Sequence, residues 1–216
     1  MTKVLKKRIL TSFILLMLMF FAFINNYILG YLLMIIFVFS ILEFFGMSKI
    51  FLKKYKILRL LINLIFIFYI FYFCTLILTF SFSLSLKVLI FLVLLMCVAS
   101  DIGGFVIGKI VKGPKLTRIS PNKTISGAIG SIIFSSGFAF ILFYLFTKSY
   151  DPYILFIGLV TSLGCQTGDL FFSFLKRKSY LKDTGNFLPG HGGILDRIDG
   201  ILLGLPLGFL SLLVIY

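Results

Sequence analysis

The chain has few of the residues that soluble enzymes commonly use for chemistry. It contains no tryptophan, one histidine, three cysteines and seven acidic residues among 216. Cys74, Cys97 and Cys165 all lie inside apolar runs and lack paired spacing, which argues against a disulfide framework or a cysteine metal site and favours small buried side chains. Hydrophobic residues make up 60% of the sequence, and this share excludes an ordinary soluble domain.

Long apolar runs recur along the whole chain. A helix needs about 20 mainly apolar residues to cross a hydrocarbon core of about 30 Å. Basic residues precede the first run, but no small-x-small cleavage site follows it, so we interpret it as a retained helix and not as a signal peptide. We predict an all-α, polytopic transmembrane bundle of about seven spans, within a range of six to nine, at 8–24, 27–45, 57–80, 87–107, 125–146, 152–175 and 199–216.

The basic residues are distributed unevenly between the two ends of these spans. The formal net charge is +14, and 19 of the 21 lysines and arginines fall in the N-terminal segment and in alternate connections. Only Lys87 and Lys148 fall on the other side. This bias predicts a cytoplasmic N-terminus. It accounts for most of the positive charge through membrane topology and argues against nucleic acid as a partner.

Polar residues divide the chain into two parts of one integral membrane unit. Residues 1–86 form apolar N-terminal membrane helices, whereas residues 87–216 carry nearly all the unusual polar groups. Gly200, Gly204 and Gly208 recur every four residues near the C-terminus. Such a stripe permits close helix approach in lipid, and it fits either internal packing or a homodimer interface.

Five of the seven acids gather at one side of the membrane. They lie at the inner ends of the fourth, sixth and seventh predicted spans or in the loop between the last two. Carboxylates at membrane depth need a cationic partner. The other two acids are Glu43, interpreted as snorkelling or helix-terminal, and Asp151, in an outer loop. The five are Asp101, Asp169, Asp183, Asp196 and Asp199.

The spacing of these acids fits two kinds of partner. Asp169 and Ser173 are four residues apart and share a helix face, and Asp196 and Asp199 are three apart. Carboxylates from two helices at one depth would suit Mg²⁺, which takes one or two carboxylates together with water and substrate phosphates. The same acids could instead form structural ion pairs with nearby lysines and arginines. Spacing alone leaves both interpretations open.

A second polar block runs from residue 101 to residue 130. Within it, Ser120, Pro121, Asn122, Lys123 and Thr124 predict a turn followed by a helix start. A helix N-terminus beside a lysine favours a phosphate, because free backbone N–H groups and the helix dipole attract an anion. Without further information an ordinary loop-to-helix turn is the favoured interpretation of this block.

The single histidine lies in a glycine-rich loop near the membrane edge. His191 follows Pro189-Gly190 and precedes Gly192-Gly193. Glycines on both sides of it predict close backbone approach to a bulky group such as a phosphate chain or a nucleotide. We therefore predict that His191 contacts substrate.

The stretch from Ser173 to Asp199 resembles the signature of the phosphatidate cytidylyltransferases (CDP-diacylglycerol synthases). That signature has a serine, a Lys-Arg pair, a Lys-Asp pair, Pro-x-His-Gly-Gly and Asp-Arg-x-Asp. The matching elements are Ser173, Lys176-Arg177, Lys182-Asp183, Pro189-Gly190-His191-Gly192-Gly193 and Asp196-Arg197-Ile198-Asp199.

The resemblance implies transfer of CMP from CTP to phosphatidate, with release of pyrophosphate, for phospholipid biosynthesis at a bacterial-type inner membrane. The active site would face the cytoplasm, and Mg²⁺ would be the cofactor, with room for a second, monovalent cation. Catalytic roles fall on Asp169, Lys182, Asp183, Asp196 and Asp199, with Asp169, Asp196 and Asp199 as metal ligands. Substrate contacts fall on Ser120, Lys123, Thr124, Ser173, Lys176, Arg177, His191, Gly192, Gly193 and Arg197.

The block from residue 101 to residue 130 is similar to the family's second motif, with one departure. Ser126 stands before Gly127 where the family usually has glutamate. The resemblance covers the last 116 residues well, whereas the earlier part matches only in being hydrophobic. The chain is short for the family, and we expect an N-terminal span or two to be absent.

Two other functions fit parts of the pattern. A membrane transporter with intramembrane carboxylates would suit the architecture, but the acids gather on one side and no pair of broken helices recurs in two halves. A CTP-dependent polyprenol kinase is closer in chemistry and would release CDP instead of pyrophosphate. The Asp-Gly-x-x-Ala-Arg pattern of CDP-alcohol phosphotransferases is absent from the sequence.

Overall fold

The computed structural model describes residues 3–117, 119–121, 123–187 and 192–215, with side chains from residue 10 onward. Within these ranges the chain forms seven α-helices and no sheet, which confirms the predicted all-α class. The helices are α1 (Lys3–Ile24), α2 (Asn26–Phe51), α3 (Lys56–Phe80), α4 (Leu84–Val111), α5 (Ile125–Thr147), α6 (Tyr153–Lys178) and α7 (Leu195–Ile215).

Six of these helices are long and apolar enough to span a membrane. They are α2 to α7, and over the described side chains α1 contributes a shorter apolar stretch, Leu10–Ile24. Large apolar side chains such as Ile65 and Phe68 on α3 point outward and are exposed. Such helices are stable in lipid because they satisfy their backbone hydrogen bonds internally and present apolar surface to the hydrocarbon. The protein is therefore an integral membrane protein.

Several helices continue beyond the apolar windows that predicted them. The predicted spans end at residues 45, 107 and 175, whereas α2, α4 and α6 end at Phe51, Val111 and Lys178. Polar residues can extend a helix past the hydrocarbon. The final turn of α6 carries Lys176, Arg177 and Lys178, whose positive charge suits the negative end of the helix dipole.

The chain divides into two compact units. One comprises Met1–Lys87 and Leu175–Ile198, and the other comprises Val88–Phe174 and Asp199–Tyr216. Helices α6 and α7 therefore contribute residues to both units. The functional division predicted at residues 86 and 87 remains a prediction.

In the first unit, a buried lysine joins two turns. Lys87 is only 6% exposed, and its Nζ donates to Asn26 Oδ1 at 2.6 Å. Asn26 Nδ2 in turn donates to the carbonyl oxygen of Ser81 at 3.2 Å, and the Lys87 ammonium lies 5.6 Å from the centroid of the Phe23 ring. These contacts hold the α1–α2 turn against the α3–α4 turn.

In the second unit, glycines allow α6 and α7 to pack closely. A Cβ atom on Gly208 would collide with Thr161 Oγ1, and one on Gly204 would collide with Cys165 Sγ. A Cβ atom on Gly164 would lie 2.8 Å from the Cα atom of Gly204. The regular glycine stripe of α7 is thus used for internal packing, as the first of its two interpretations expects.

Replacing Gly204 with alanine should destabilise this packing. The added methyl group would overlap Cys165 Sγ and lie 3.1 Å from Cys97 Sγ, in a region with no free space. Overpacking of this kind costs about 1–3 kcal/mol. We expect a lower thermal unfolding midpoint for the detergent-solubilised Gly204→Ala variant than for wild type. Gly137→Ala, where a Cβ atom would meet nothing within 4 Å, is the control, and an equal midpoint for the two variants would contradict the packing.

Candidate active site

The loop between α4 and α5 is folded back against the start of α5. Lys112 and Gly113 adopt left-handed backbone conformations at the end of α4, with φ of 57° and 118°. Leu116 N then donates to the Lys123 carbonyl oxygen at 2.8 Å. Thr124 caps α5 by accepting a hydrogen bond from Gly127 N at 3.1 Å. The predicted helix start is confirmed, and Lys123 is held directly before it.

The departure at Ser126 has a structural role in the same loop. The Ser126 hydroxyl donates to the Lys112 carbonyl oxygen and lies 3.0 Å from the hydroxyl of Thr124. A glutamate at this position would supply a carboxylate, whereas the serine closes the loop by a local hydrogen bond. Ser120 also belongs to the turn, because its carbonyl oxygen accepts from Lys123 N at 3.1 Å.

A cavity of about 300 Å³ lies within the second unit. It brings together Lys123, Thr124 and Asp169 from the predicted site and adds two polar residues, Asp101 and Gln166. The remainder of its wall is small or apolar. The lining residues are Asp101, Gly104, Phe105, Leu116, Lys123, Thr124, Gly127, Ala128, Ser131, Gln166 and Asp169.

An ion pair joins two of the polar side chains that line this cavity. Lys123 Nζ lies 2.6 Å from Asp169 Oδ2, and the two side chains are 30% and 24% exposed. The pair is therefore reachable by solvent and by a ligand. The other oxygen, Asp169 Oδ1, faces Gly200, where a Cβ atom would lie 2.9 Å away. A glycine at position 200 leaves that oxygen unobstructed by a side chain.

Two carboxylates from different helices line the cavity. Cys97 on α4 and Cys165 on α6 both lie close to Gly204. Asp101 and Asp169 follow these cysteines by four residues, which is about one helical turn, and both line the cavity. Sequence reasoning counted Asp101 among the gathered acids but gave it no role in the site. The available signal was that Asp101 lies one helical turn after Cys97, near the inner end of α4, as Asp169 lies one turn after Cys165.

Buried polar contacts fix the helices that carry these acids. Gln166 Nε2 donates to the Ala128 carbonyl oxygen at 3.1 Å and to Ser162 Oγ at 3.2 Å. Ser162 Oγ is 2.9 Å from Ser100 Oγ. Residues from α4, α5 and α6 are thus linked through Gln166, which lines the cavity, and hydrogen-bonded networks of this kind restrict the side chains that they include.

In the first unit, Asp196 forms a second polar cluster. Its Oδ1 atom accepts from Lys176 Nζ at 2.8 Å, and its Oδ2 atom accepts from Thr184 N at 2.7 Å and Gly193 N at 3.0 Å. The side chains of Lys176 and Asp196 are only 11% and 4% exposed. Both oxygens of Asp196 therefore already have protein donors, and the carboxylate fastens both ends of the loop before α7.

Glu43 belongs to this first-unit cluster, which sequence reasoning missed. Its carboxylate accepts from Thr184 Oγ1 at 2.7 Å, from Ile194 N at 3.0 Å and from Leu195 N at 2.9 Å. Of the two roles expected for Glu43, snorkelling or helix-terminal, these contacts support the second, although the helix end that it binds is that of α7 and not of its own helix. The available signal was an acid within an otherwise apolar span, since such a residue is costly without partners.

The two described glycines of the signature loop make room for these carboxylates. Gly192 has a left-handed φ of 81°, and a Cβ atom on it would lie 2.9 Å from Asp196 Oδ2. A Cβ atom on Gly193 would collide with Thr184 Oγ1 and with the Glu43 carboxylate. Side chains of the same chain thus lie close to both glycines, and the predicted substrate contacts of Gly192 and Gly193 stay predictions.

The remaining predicted site residues lie on α6, on α7 and in the connection between these helices. Asp199 Oδ1 accepts from Gly200 N at 3.1 Å on its own helix, and Arg177 Nη1 donates to the Leu181 carbonyl oxygen at 3.4 Å. Ser173 is half-buried, and three further residues are exposed: Lys182, Asp183 and Arg197. His191 lies outside the described residues. The substrate and catalytic roles of these seven residues stay predictions.

The described part of the chain contains no group of three or more histidine, cysteine, aspartate or glutamate side chains that could enclose a metal. A metal at the cavity would therefore depend on Asp101 and Asp169, with further ligands from water or substrate. Mg²⁺ accepts such an arrangement because it commonly keeps waters and binds substrate phosphates. Metal binding by Asp196 and Asp199 stays a prediction.

Comparison with known proteins identifies relatives of this chain. The model of the Cytidylyltransferase family matches residues 8–215. A protein named phosphatidate cytidylyltransferase from Helicobacter pylori (strain ATCC 700392 / 26695) is 40% identical over 121 residues, covering 56% of this chain and 45% of the relative.

Two other relatives carry the same name. The one from Bacillus subtilis (strain 168) is 46% identical over 111 residues, covering 50% of this chain and 41% of the relative. The one from Rickettsia felis (strain ATCC VR-1525 / URRWXCal2) is 39% identical over 133 residues, covering 56% and 58%. The chain spans about half the length of the curated relatives that it matches.

Proposed function

The chain belongs to the Cytidylyltransferase family, and from this membership together with its cavity we propose that it transfers CMP from CTP to phosphatidate. The products would be CDP-diacylglycerol and pyrophosphate. The observation that carries the proposal is the Lys123–Asp169 pair, 2.6 Å apart and partly exposed, on the wall of a cavity that Asp101 also lines.

The charges of the cavity suit two anionic substrates. CTP and phosphatidate repel each other, so their reaction requires fixed positive charge beside the phosphates. Lys123 supplies an ammonium group directly before α5, whose N-terminus adds backbone N–H groups and the positive end of the helix dipole. One substrate is a membrane lipid, and an integral membrane protein can hold its phosphate near the interface.

Mg²⁺ fits the residues of this cavity. Asp101 and Asp169 offer carboxylate oxygens and Thr124 offers a hydroxyl, and hard cations prefer oxygen ligands of this kind. When bound, the ion would neutralise negative charge on the phosphates of CTP. A second, monovalent cation remains a prediction.

The reaction requires alignment and charge stabilisation more than proton transfer. An oxygen of the phosphatidate phosphate would form a bond to the α-phosphorus of CTP as the bond between that phosphorus and the bridging oxygen of pyrophosphate breaks. Lys123 would bind phosphate oxygens that gain negative charge, and Asp169 would orient Lys123. Because phosphatidate is already an anion, no strong general base is required.

The location of the site is part of the same proposal. The distribution of lysines and arginines along the chain supports a cytoplasmic location for the α4–α5 and α6–α7 connections. The named relatives are bacterial, which supports an inner-membrane location.

One assay tests the reaction, and one pair of variants tests the site. In liposomes, we expect pyrophosphate release that requires CTP, phosphatidate and Mg²⁺ together; release of CDP instead would indicate a kinase.

Lys123→Ala should lower kcat/KM for CTP about a hundredfold, because a charge beside the reacting phosphates is lost. Lys54→Ala removes an exposed lysine from the α2–α3 turn and should leave the rate unchanged. Equal rates for the two variants would contradict the assignment of Lys123.

A further inference from the structure

We propose that Glu43 is a positioning residue that holds the loop before α7 in its working conformation. The role in turnover rests on the proposed function, whereas the anchoring of the loop stands on the contacts alone. Glu43 lies on α2, and its three hydrogen-bond partners are 141 to 152 residues later in the chain.

Glu43 provides the N-terminal cap that the sequence of α7 lacks. The first backbone N–H groups of a helix have no partner within the helix, and a serine, threonine, aspartate or asparagine usually precedes the helix to bind them. Here the residue before α7 is Ile194, which has no side-chain oxygen. The Glu43 carboxylate instead accepts from the N–H groups of Ile194 and Leu195.

Thr184 connects Glu43 to Asp196. Its hydroxyl donates to Glu43 Oε2 at 2.7 Å, and its backbone N donates to Asp196 Oδ2 at 2.7 Å. Gly193 N donates to the same Asp196 oxygen at 3.0 Å. Two carboxylates therefore join Thr184 to residues 193–195. Lys182 and Asp183, both predicted to be catalytic, lie immediately before Thr184.

The anchor itself is on a rigid element. The neighbouring Phe44 stacks on Phe66 of α3 with ring centroids 3.9 Å apart, and Phe44 is buried. One helical turn further along α2, Met47 is fully buried, and its carbonyl oxygen accepts from Ser179 Oγ at 3.2 Å. The position of Glu43 on α2 is thus supported by packing against α3 and by a contact with Ser179, directly after α6.

The arrangement requires an acceptor-only group at position 43. All three partners of Glu43 are donors, and an ionised carboxylate offers acceptors on both oxygens. Glutamine would keep one acceptor oxygen but place an NH₂ group against a donor. Loss of one hydrogen bond to a charged group shifts an equilibrium by about tenfold or more.

The test compares the full-length wild type with Glu43→Gln in detergent and in liposomes. We expect peptides that contain Thr184, Ile194 and Leu195 to exchange amide hydrogens at least about tenfold faster in the variant, with unchanged exchange in α3 and α5. We also expect pyrophosphate release to fall by a similar factor. Asp151→Asn is the matched control, because Asp151 Oδ1 accepts from Tyr153 N at the start of α6, away from this loop. This variant should change neither the amide exchange of the loop nor the rate of pyrophosphate release.

Two further variants separate this role from a general loss of stability. Thr184→Ala removes one donor to Glu43, whereas Thr184→Ser keeps the hydroxyl. If Glu43 acts through Thr184, Thr184→Ala alone should slow turnover, and Thr184→Ser should behave as wild type. The double variant Glu43→Gln/Thr184→Ala should be slowed by less than the product of the two single effects.

The outcomes are distinct. Unchanged loop exchange in Glu43→Gln would overturn the anchoring. Faster loop exchange with a wild-type rate of turnover would overturn the positioning role. A wild type that releases no pyrophosphate from CTP and phosphatidate would contradict the proposed function, and the exchange comparison would still decide whether Glu43 holds the loop.

Discussion

The Asp169→Asn variant should lose at least about a hundredfold in CTP-dependent lipid product. Asparagine has nearly the same shape as aspartate but no charge. It would leave Lys123 without the carboxylate that lies 2.6 Å from its ammonium group. It would also remove one of the two carboxylates that line the cavity. Labelled CTP incorporated into lipid by membranes containing equal amounts of each protein measures the effect.

The control for this variant is Asp151→Asn. That substitution also neutralises an aspartate, but Asp151 lies in the α5–α6 connection and does not line the cavity. It should retain the wild-type rate. Wild-type product formation by Asp169→Asn would remove the basis for placing the reaction at this cavity.

Replacing Gly193 with alanine should be nearly as damaging. The new methyl group would overlap Thr184 Oγ1 and both oxygens of Glu43, all of which are engaged in hydrogen bonds. Relief of the overlap would require these bonds to break, at a cost of about 1.5–3 kcal/mol for each bond to the charged group. We expect loss of turnover together with faster amide exchange in the loop before α7.

Gly46→Ala is the matched control for this substitution. Gly46 lies within α2, close to Glu43 in sequence, and a Cβ atom there would meet nothing within 4 Å. Alanine in a helix interior is more favourable than glycine by about 0.5–1 kcal/mol, so this variant should be as stable as wild type or slightly more so. Comparable activity of Gly193→Ala and Gly46→Ala would show that the tight contact at Gly193 is unimportant.

The helices could be predicted from sequence because lipid imposes a simple requirement on each of them. Every span must be apolar over about 20 residues, and this property is local. The six predicted spans from residue 27 onward correspond to α2 through α7. The helix ends were harder to predict, since Lys176, Arg177 and Lys178 continue α6 although they are not apolar.

The site could be predicted only in part, because its contacts are of two kinds. The start of α5 at Thr124 depends on neighbouring residues, and the sequence indicates it correctly. The partner of a carboxylate depends on the tertiary structure. Lys123 and Asp169 are 46 residues apart and were assigned separate roles, and no local pattern connects Glu43 with Thr184.

Gly192 and Gly193 show that a glycine can indicate a crowded position without identifying the group beside it. Gly192 and Gly193 indicated a close approach, and such an approach exists. Its partners are Asp196, Thr184 and Glu43 of the same chain. A glycine in the sequence can indicate that another group packs closely against the backbone, but it does not identify that group.

The hydrogen bond from Lys87 to Asn26 joins two turns that are far apart in the sequence. A buried ammonium group is costly unless it is hydrogen-bonded. Asn26 precedes Lys87 by 61 residues, so the residue that offers the amide oxygen is synthesised before α4. The acceptor that this buried lysine needs therefore lies on the N-terminal side of it, so no later part of the chain is required to supply one.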